Sequence, residues 1–167
     1  MKSIIFIAFY AVLFSNQPTE MPKTVIGRHQ LSLEEAESIL GEPVLLKERK
    51  SDSLNEIYTS KSTFTAKEID AKTQKYGNLY YIFERFKNEE EARKIIQSFI
   101  KSNQNYAGFE LLTAYGDEAF FHTDKQNFCL LIVRKGNKLI RLKVNKVTSK
   151  TSFEALRKIG KDLIERV

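Results

Sequence analysis

Phe128-Cys129-Leu130-Leu131-Ile132-Val133-Arg134-Lys135-Gly136-Asn137-Lys138-Leu139-Ile140-Arg141-Leu142-Lys143-Val144 is the stretch on which the fold turns. Two apolar runs flank Gly136-Asn137, a two-residue hairpin turn with glycine first. Closing the chain there pairs Lys135 with Lys138, Val133 with Ile140, Leu131 with Leu142 and Cys129 with Val144. The last three pairs are apolar and project to one face, and a slip of one residue would turn all of them to the other side. The opposite face receives Leu130, Ile132, Arg134, Leu139, Arg141 and Lys143. Such a mixture is expected either to lie under a helix, with the long basic side chains reaching past it to water, or to form a binding surface.

Working outward, Asp124-Lys125-Gln126-Asn127 reads as the turn before this hairpin. Pairing Thr123 with Phe128 across it sets Phe120 against Leu131 and His122 beside Cys129, and leaves Phe121 near the basic face. On the far side, Thr151-Ser152-Phe153-Glu154 caps a terminal helix whose buried stripe is Phe153, Leu156, Ile159, Gly160, Leu163, Ile164 and Val167. Glycine inside a helix costs about 1 kcal/mol relative to alanine. On the apolar stripe, Gly160 is read as allowing close approach to the sheet.

The first half has the same grammar. Ser32-Leu33-Glu34-Glu35 fits a capping box, with Leu33, Ala36, Ile39 and Leu40 on one face and Gly41 and Pro43 as the stop. A strand starts near Val44-Leu45-Leu46, a polar segment outside any strand follows it, a second strand runs from Ile57 to Ala66, and Asn78 to Phe86 is an aromatic strand. Asn88-Glu89-Glu90-Glu91 opens another helix, with Ala92, Ile95, Ile96, Phe99 and Ile100 inward. It fades near Ser102-Asn103, and Phe109 to Leu112 is a short strand. The fold class is therefore α+β, an antiparallel sheet packed by two to three helices. The order is α-β-β(-β)-α-β-β-β-β-α, in one domain over residues 31–167.

The chain opens with Lys2 and then an uncharged apolar run from Ile4 to Phe14, closed by Ser15-Asn16-Gln17-Pro18. A charged start, an apolar core and a small-residue exit describe an export signal over residues 1–15. Spanning a bilayer as a helix takes about 20 apolar residues, so no stable transmembrane anchor is expected. An uncleaved signal anchor tethering the protein to a membrane is the alternative. Residues 16–30 hold two of the three prolines, show no periodicity, and read as a flexible leader. The expected location is periplasmic or secreted. A single cysteine permits no internal disulfide, so packing alone must hold the domain together.

The net charge is +6 and the pI about 9.3. This suits anionic surfaces or ligands and also serves solubility. Nucleic acid is not expected as a partner outside the cytoplasm. An envelope protein or an anionic ligand is.

Two segments carry a resemblance: Leu33-Glu34-Glu35-Ala36-Glu37-Ser38-Ile39-Leu40-Gly41-Glu42-Pro43, and Gly116-Asp117-Glu118-Ala119-Phe120-Phe121 ahead of Leu131 to Asn137. Together they resemble small exported bacterial proteins, often lipoproteins of unassigned function, with a helix–Leu-Gly-x-Pro opening and a Gly-Asp-Glu-Ala, hairpin, helix close. The resemblance implies an antiparallel sheet packed by helices and a non-catalytic or unknown role. The chain departs from the lipid-anchored members in having no cysteine directly after its signal. No functional residue carries over.

Candidate chemistry is sparse. Cys129 and His122 would be cross-strand neighbours, but a mid-strand thiol between Phe128 and Leu130 lacks the exposed, electropositive setting of a nucleophile. His29, His122 and Cys129 have no metal-ligand spacing, and no phosphate loop or nucleophile elbow is present. No metal and no cofactor are expected. The expectation is an exported, non-catalytic protein that binds a partner or ligand through Arg134, Arg141, Lys143, Ile132 and Phe121. The alternative is a small extracytoplasmic hydrolase with a carboxylate site at Asp117 and Glu118.

Overall fold

The computed structural model describes residues 29–167, so the expected export signal and the expected leader up to residue 28 lie outside the described residues. Helix α1 (Leu33–Leu40) starts with the complete capping box: the Ser32 hydroxyl accepts from the Glu35 amide, and Glu35 accepts from the Ser32 amide. It stops at Gly41, whose φ of 73° ends the helix in the left-handed region. Helix α2 (Glu89–Asn103) is capped by Asn88, and α3 (Phe153–Glu165) by Ser152.

Seven strands form one sheet: β1 (Val44–Leu54), β2 (Ile57–Ala66), β3 (Asn78–Arg85), β4 (Phe109–Leu111), β5 (Glu118–Thr123), β6 (Phe128–Lys135) and β7 (Lys138–Asn145). Their order across the sheet is β1-β2-β3-β7-β6-β5-β4, and every neighbouring pair is antiparallel. The chain makes one meander, crosses with α2 to the far edge, and meanders back until β7 closes against β3. The α+β class and the α-β-β-β-α-β-β-β-β-α order agree with the sequence reading.

Helices α1 and α3 pack on one face of the sheet and α2 on the other. Under α1 and α3 lie Phe64, Leu79, Tyr81, Phe83, Leu131, Leu142 and Val144 with Ile39, Leu156 and Leu163, all buried. Burying one such side chain stabilises by about 1.5–3 kcal/mol, which makes this layer the principal core. Gly160 lies where a Cβ would collide with Leu131, so the missing side chain lets α3 sit down on β6. The α2 layer is smaller, with Phe86, Ala92, Ile96, Phe120, Ile132 and Leu139 buried.

Four expectations are corrected. His29, inside the expected leader, is packed on the sheet: its ring lies 4.9 Å from that of Phe83, and its carbonyl accepts from the Tyr81 hydroxyl. The polar residues before Ile57 are strand, because Asn55 and Glu56 both take positive φ (51° and 63°) and close a tight hairpin between β1 and β2. On the helix stripes, Leu33 of α1 and Ile95 of α2 are exposed while Ala36, Ile39, Leu40, Ala92 and Ile96 are buried. The β5–β6 register is also one residue off: Thr123 pairs with Cys129, His122 with Leu130, Phe121 with Leu131 and Phe120 with Ile132. The cause lies in the turn. The Asp124 carboxylate accepts from the amides of Gln126, Asn127 and Phe128, and Lys125 takes φ 64°, which adds one residue to the connection. The β6–β7 register is as read from Gly136-Asn137.

Candidate functional site

Side chains of β3 alternate, so Leu79, Tyr81 and Phe83 enter the main core while Tyr80, Ile82 and Glu84 face the α2 side. Across the ladder these three stand opposite Lys143, Arg141 and Leu139 of β7 and Thr63, Lys61 and Thr59 of β2. Helix α2 packs chiefly on β5, β6 and β7. Among the described residues, no helix covers most of the α2-side face of β1, β2 and β3, and a groove runs where the helix stops and the open sheet begins.

Two hollows make up that groove. One, of about 390 Å³, has Ile82, Leu130, Ile132 and Phe99 as its apolar lining, with Tyr80, Lys143 and Asn145 at one end and Arg141 on the floor. The second, of about 610 Å³, extends between Ile95, Ser98 and Phe99 of α2 and Ile57, Glu84 and Phe86. They meet at Phe99 and Arg141, which line both. Each is within the size range of small-molecule pockets, roughly 300–1,000 Å³.

Arg141 is held in place. Its Nη2 lies 2.7 Å from Glu84 Oε1 in an ion pair, and its guanidinium lies 5.6 Å from the centre of the Phe99 ring. Among the described residues, Arg141 Nε and Glu84 Oε2 are buried without a hydrogen-bond partner, so the pair is not a two-bond fork. Glu84 offsets the Arg141 charge. Lys143 is exposed and, among the described residues, meets no carboxylate. It is the uncompensated cation of the groove.

Of the site residues expected from sequence, the structure brings Ile132, Arg141 and Lys143 together here. Phe121 is elsewhere. The one-residue shift in β5 turns it to the α3 face, where it lies 5.9 Å from Phe153 and beneath the Arg157 guanidinium. Arg134 is buried beyond the groove: its Nε donates to Glu118 at 2.6 Å, and its Nη1 reaches Glu89, Asp117 and the Gly136 carbonyl. Burial opposes its charge, but Glu118, Asp117 and Glu89 outweigh that and hold the guanidinium protonated above its ordinary range. Tyr80, Ile82, Phe99 and Asn145 were not expected, because only the long-range β3–β7 pairing and the position of α2 put them beside the hairpin.

The carboxylates proposed for hydrolysis are those same partners of Arg134; Asp117 also accepts from the Gly136 amide at 2.7 Å. Cys129 and His122 point to opposite faces, again through the β5–β6 register. Burial raises the Cys129 thiol to about 12. The His122 ring stands between Phe128, Phe109 and Tyr106, with Nδ1 3.2 Å from the Asn103 side-chain oxygen. Among the described residues no group of three His, Cys, Asp or Glu could hold a metal ion, and no helix is long and apolar enough to cross a membrane. No family model matches the chain, and neither a curated protein nor a solved structure matches it.

Proposed function

We propose that this protein is a non-catalytic binder, working outside the cytoplasm, that holds a ligand in the groove between α2 and the open half of the sheet. The observation that carries the reading is the pair of hollows meeting at Phe99 and Arg141, the first lined by Ile82, Leu130, Ile132 and Phe99 with Lys143 at one end, the second more polar. A concave apolar surface with a few convergent polar groups is the usual form of a ligand site. Engagement of Asp117 and Glu118 by Arg134 favours binding over hydrolysis. The run from Lys2 to Ser15 supports export.

The test uses a neutral apolar reporter, N-phenylnaphthylamine, whose fluorescence rises on leaving water. Leu130→Trp fills the first hollow and Ser98→Trp the second; both positions are partly or largely exposed. The wild type is expected to take up the reporter and the double variant to lose it while keeping its circular dichroism and unfolding midpoint. Equal uptake by both folded proteins would overturn the groove as the site.

A further inference from the structure

We infer that the ligand is a single-chain amphiphile ending in one carboxylate, with the head at Lys143 and the tail along Leu130, Ile132, Ile82 and Phe99; this rests on the groove reading above. The polar end is built of donors. Lys143 has no carboxylate near it among the described residues, the Tyr80 hydroxyl stands opposite it across the β3–β7 ladder, and the Asn145 amide is two residues along the same strand. Arg141 is already matched by Glu84, so the groove offers one net positive charge. One negative head group complements it.

The width of the apolar strip decides the shape of the tail. Next to Tyr80 and Ile82 the floor changes at once to Thr63 and Lys61 of β2, and beyond those to Glu48 and Lys50 of β1. An amphipathic helix presents an apolar stripe of about 100° or more and would lay it on these charges. Leu130 and Ile132 of β6 and Ile82 of β3 flank the polar row Asn145, Lys143 and Arg141 of β7, so one extended chain can follow either apolar edge under Phe99 while its head meets Lys143. Phe99 roofs the middle, and the second hollow continues beyond it.

The experiment titrates the full chain, below micelle-forming concentrations, with dodecanoate, dodecanol and dodecyltrimethylammonium by calorimetry and by displacement of N-phenylnaphthylamine. Dodecanoate is expected to bind most tightly and the ammonium most weakly. Lys143→Glu is expected to weaken dodecanoate by about tenfold, as for loss of one charge-assisted hydrogen bond, and to favour the ammonium. Lys158→Glu, an equal charge change on an exposed residue of α3, should leave both affinities unchanged. Equal binding of the three probes, or an equal loss in Lys158→Glu, would overturn the carboxylate inference. The groove reading would survive that result if Leu130→Trp still abolished uptake, and would fall with it if Leu130→Trp bound every probe as the wild type does.

Discussion

Arg134 keys the C-terminal half of the sheet. One buried guanidinium gathers Glu89 from the start of α2, Glu118 and Asp117 from the entry to β5, and the carbonyl of the Gly136 turn. The carboxylates are more exposed than the arginine, so they rehydrate once it is removed, and the cost falls mainly on the lost charged hydrogen bonds. Arg134→Met is expected to lower stability by about 2 kcal/mol. The change would be read from the urea midpoint, with an unaltered slope showing that the unfolded reference is unchanged. Cys129 offers a second check at this scale. With its thiol raised to about 12 by burial, almost no thiolate exists at neutral pH. A thiol reagent at pH 8 should label it slowly in the native protein and at once in urea; fast native labelling would mean that β6 opens readily.

Single elements show where local chemistry can be read directly and where it cannot. Gly136-Asn137 determines the β6–β7 register from within the hairpin, and with it the common face of Ile132, Arg141 and Lys143. The β5–β6 register depended on how many residues Asp124 gathers into its turn, which composition does not specify. One residue there decided whether Phe121 and His122 faced one side or the other. Half of the groove was likewise invisible, since Tyr80 and Ile82 become its floor only because β3 closes against β7 across a long sequence separation. The β1–β2 hairpin is not legible in the sequence because Asn55-Glu56 is an imperfect form of the Asn-Gly signal. That imperfection leads to a prediction. Glu56→Gly removes the left-handed strain at φ 63°, worth about 1–2 kcal/mol, and loses the exposed pair with Lys87, worth up to about 1 kcal/mol. The net expectation is a small rise in the unfolding midpoint. In α3 the balance reverses: Gly160→Ala gains about 1 kcal/mol of helix propensity but drives a Cβ into Leu131. Overpacking of a tight core costs about 1–3 kcal/mol, so thermal melts should show a loss.

Across the whole molecule, one carboxylate ties the β2–β3 connection to the approach of α3. Asp70 is buried and accepts from the Ser149 hydroxyl at 2.6 Å and from the amide and hydroxyl of Thr73. The Ser149 bond first, and then the Thr73 amide, hold its carboxyl far below the usual range. An aspartate depressed in the folded state contributes stability that is complete above its unfolded pKa of about 3.9 and disappears as pH falls toward the folded value. Asp70→Asn should therefore lower the urea midpoint at pH 7. The gap from wild type should narrow steadily on acidification below about pH 4, and a gap independent of pH would remove Asp70 from this role.

The strand order carries a consequence for synthesis. When β3 leaves the ribosome its inner edge has no neighbour, because β7 lies at the other end of the second meander. At roughly 5–20 residues per second, several seconds pass before β7 emerges. Through that interval the nascent chain carries the aromatic β3 with one side of its backbone unsatisfied. A chaperone, or the first three strands of a neighbouring polysome product, would find its opening there.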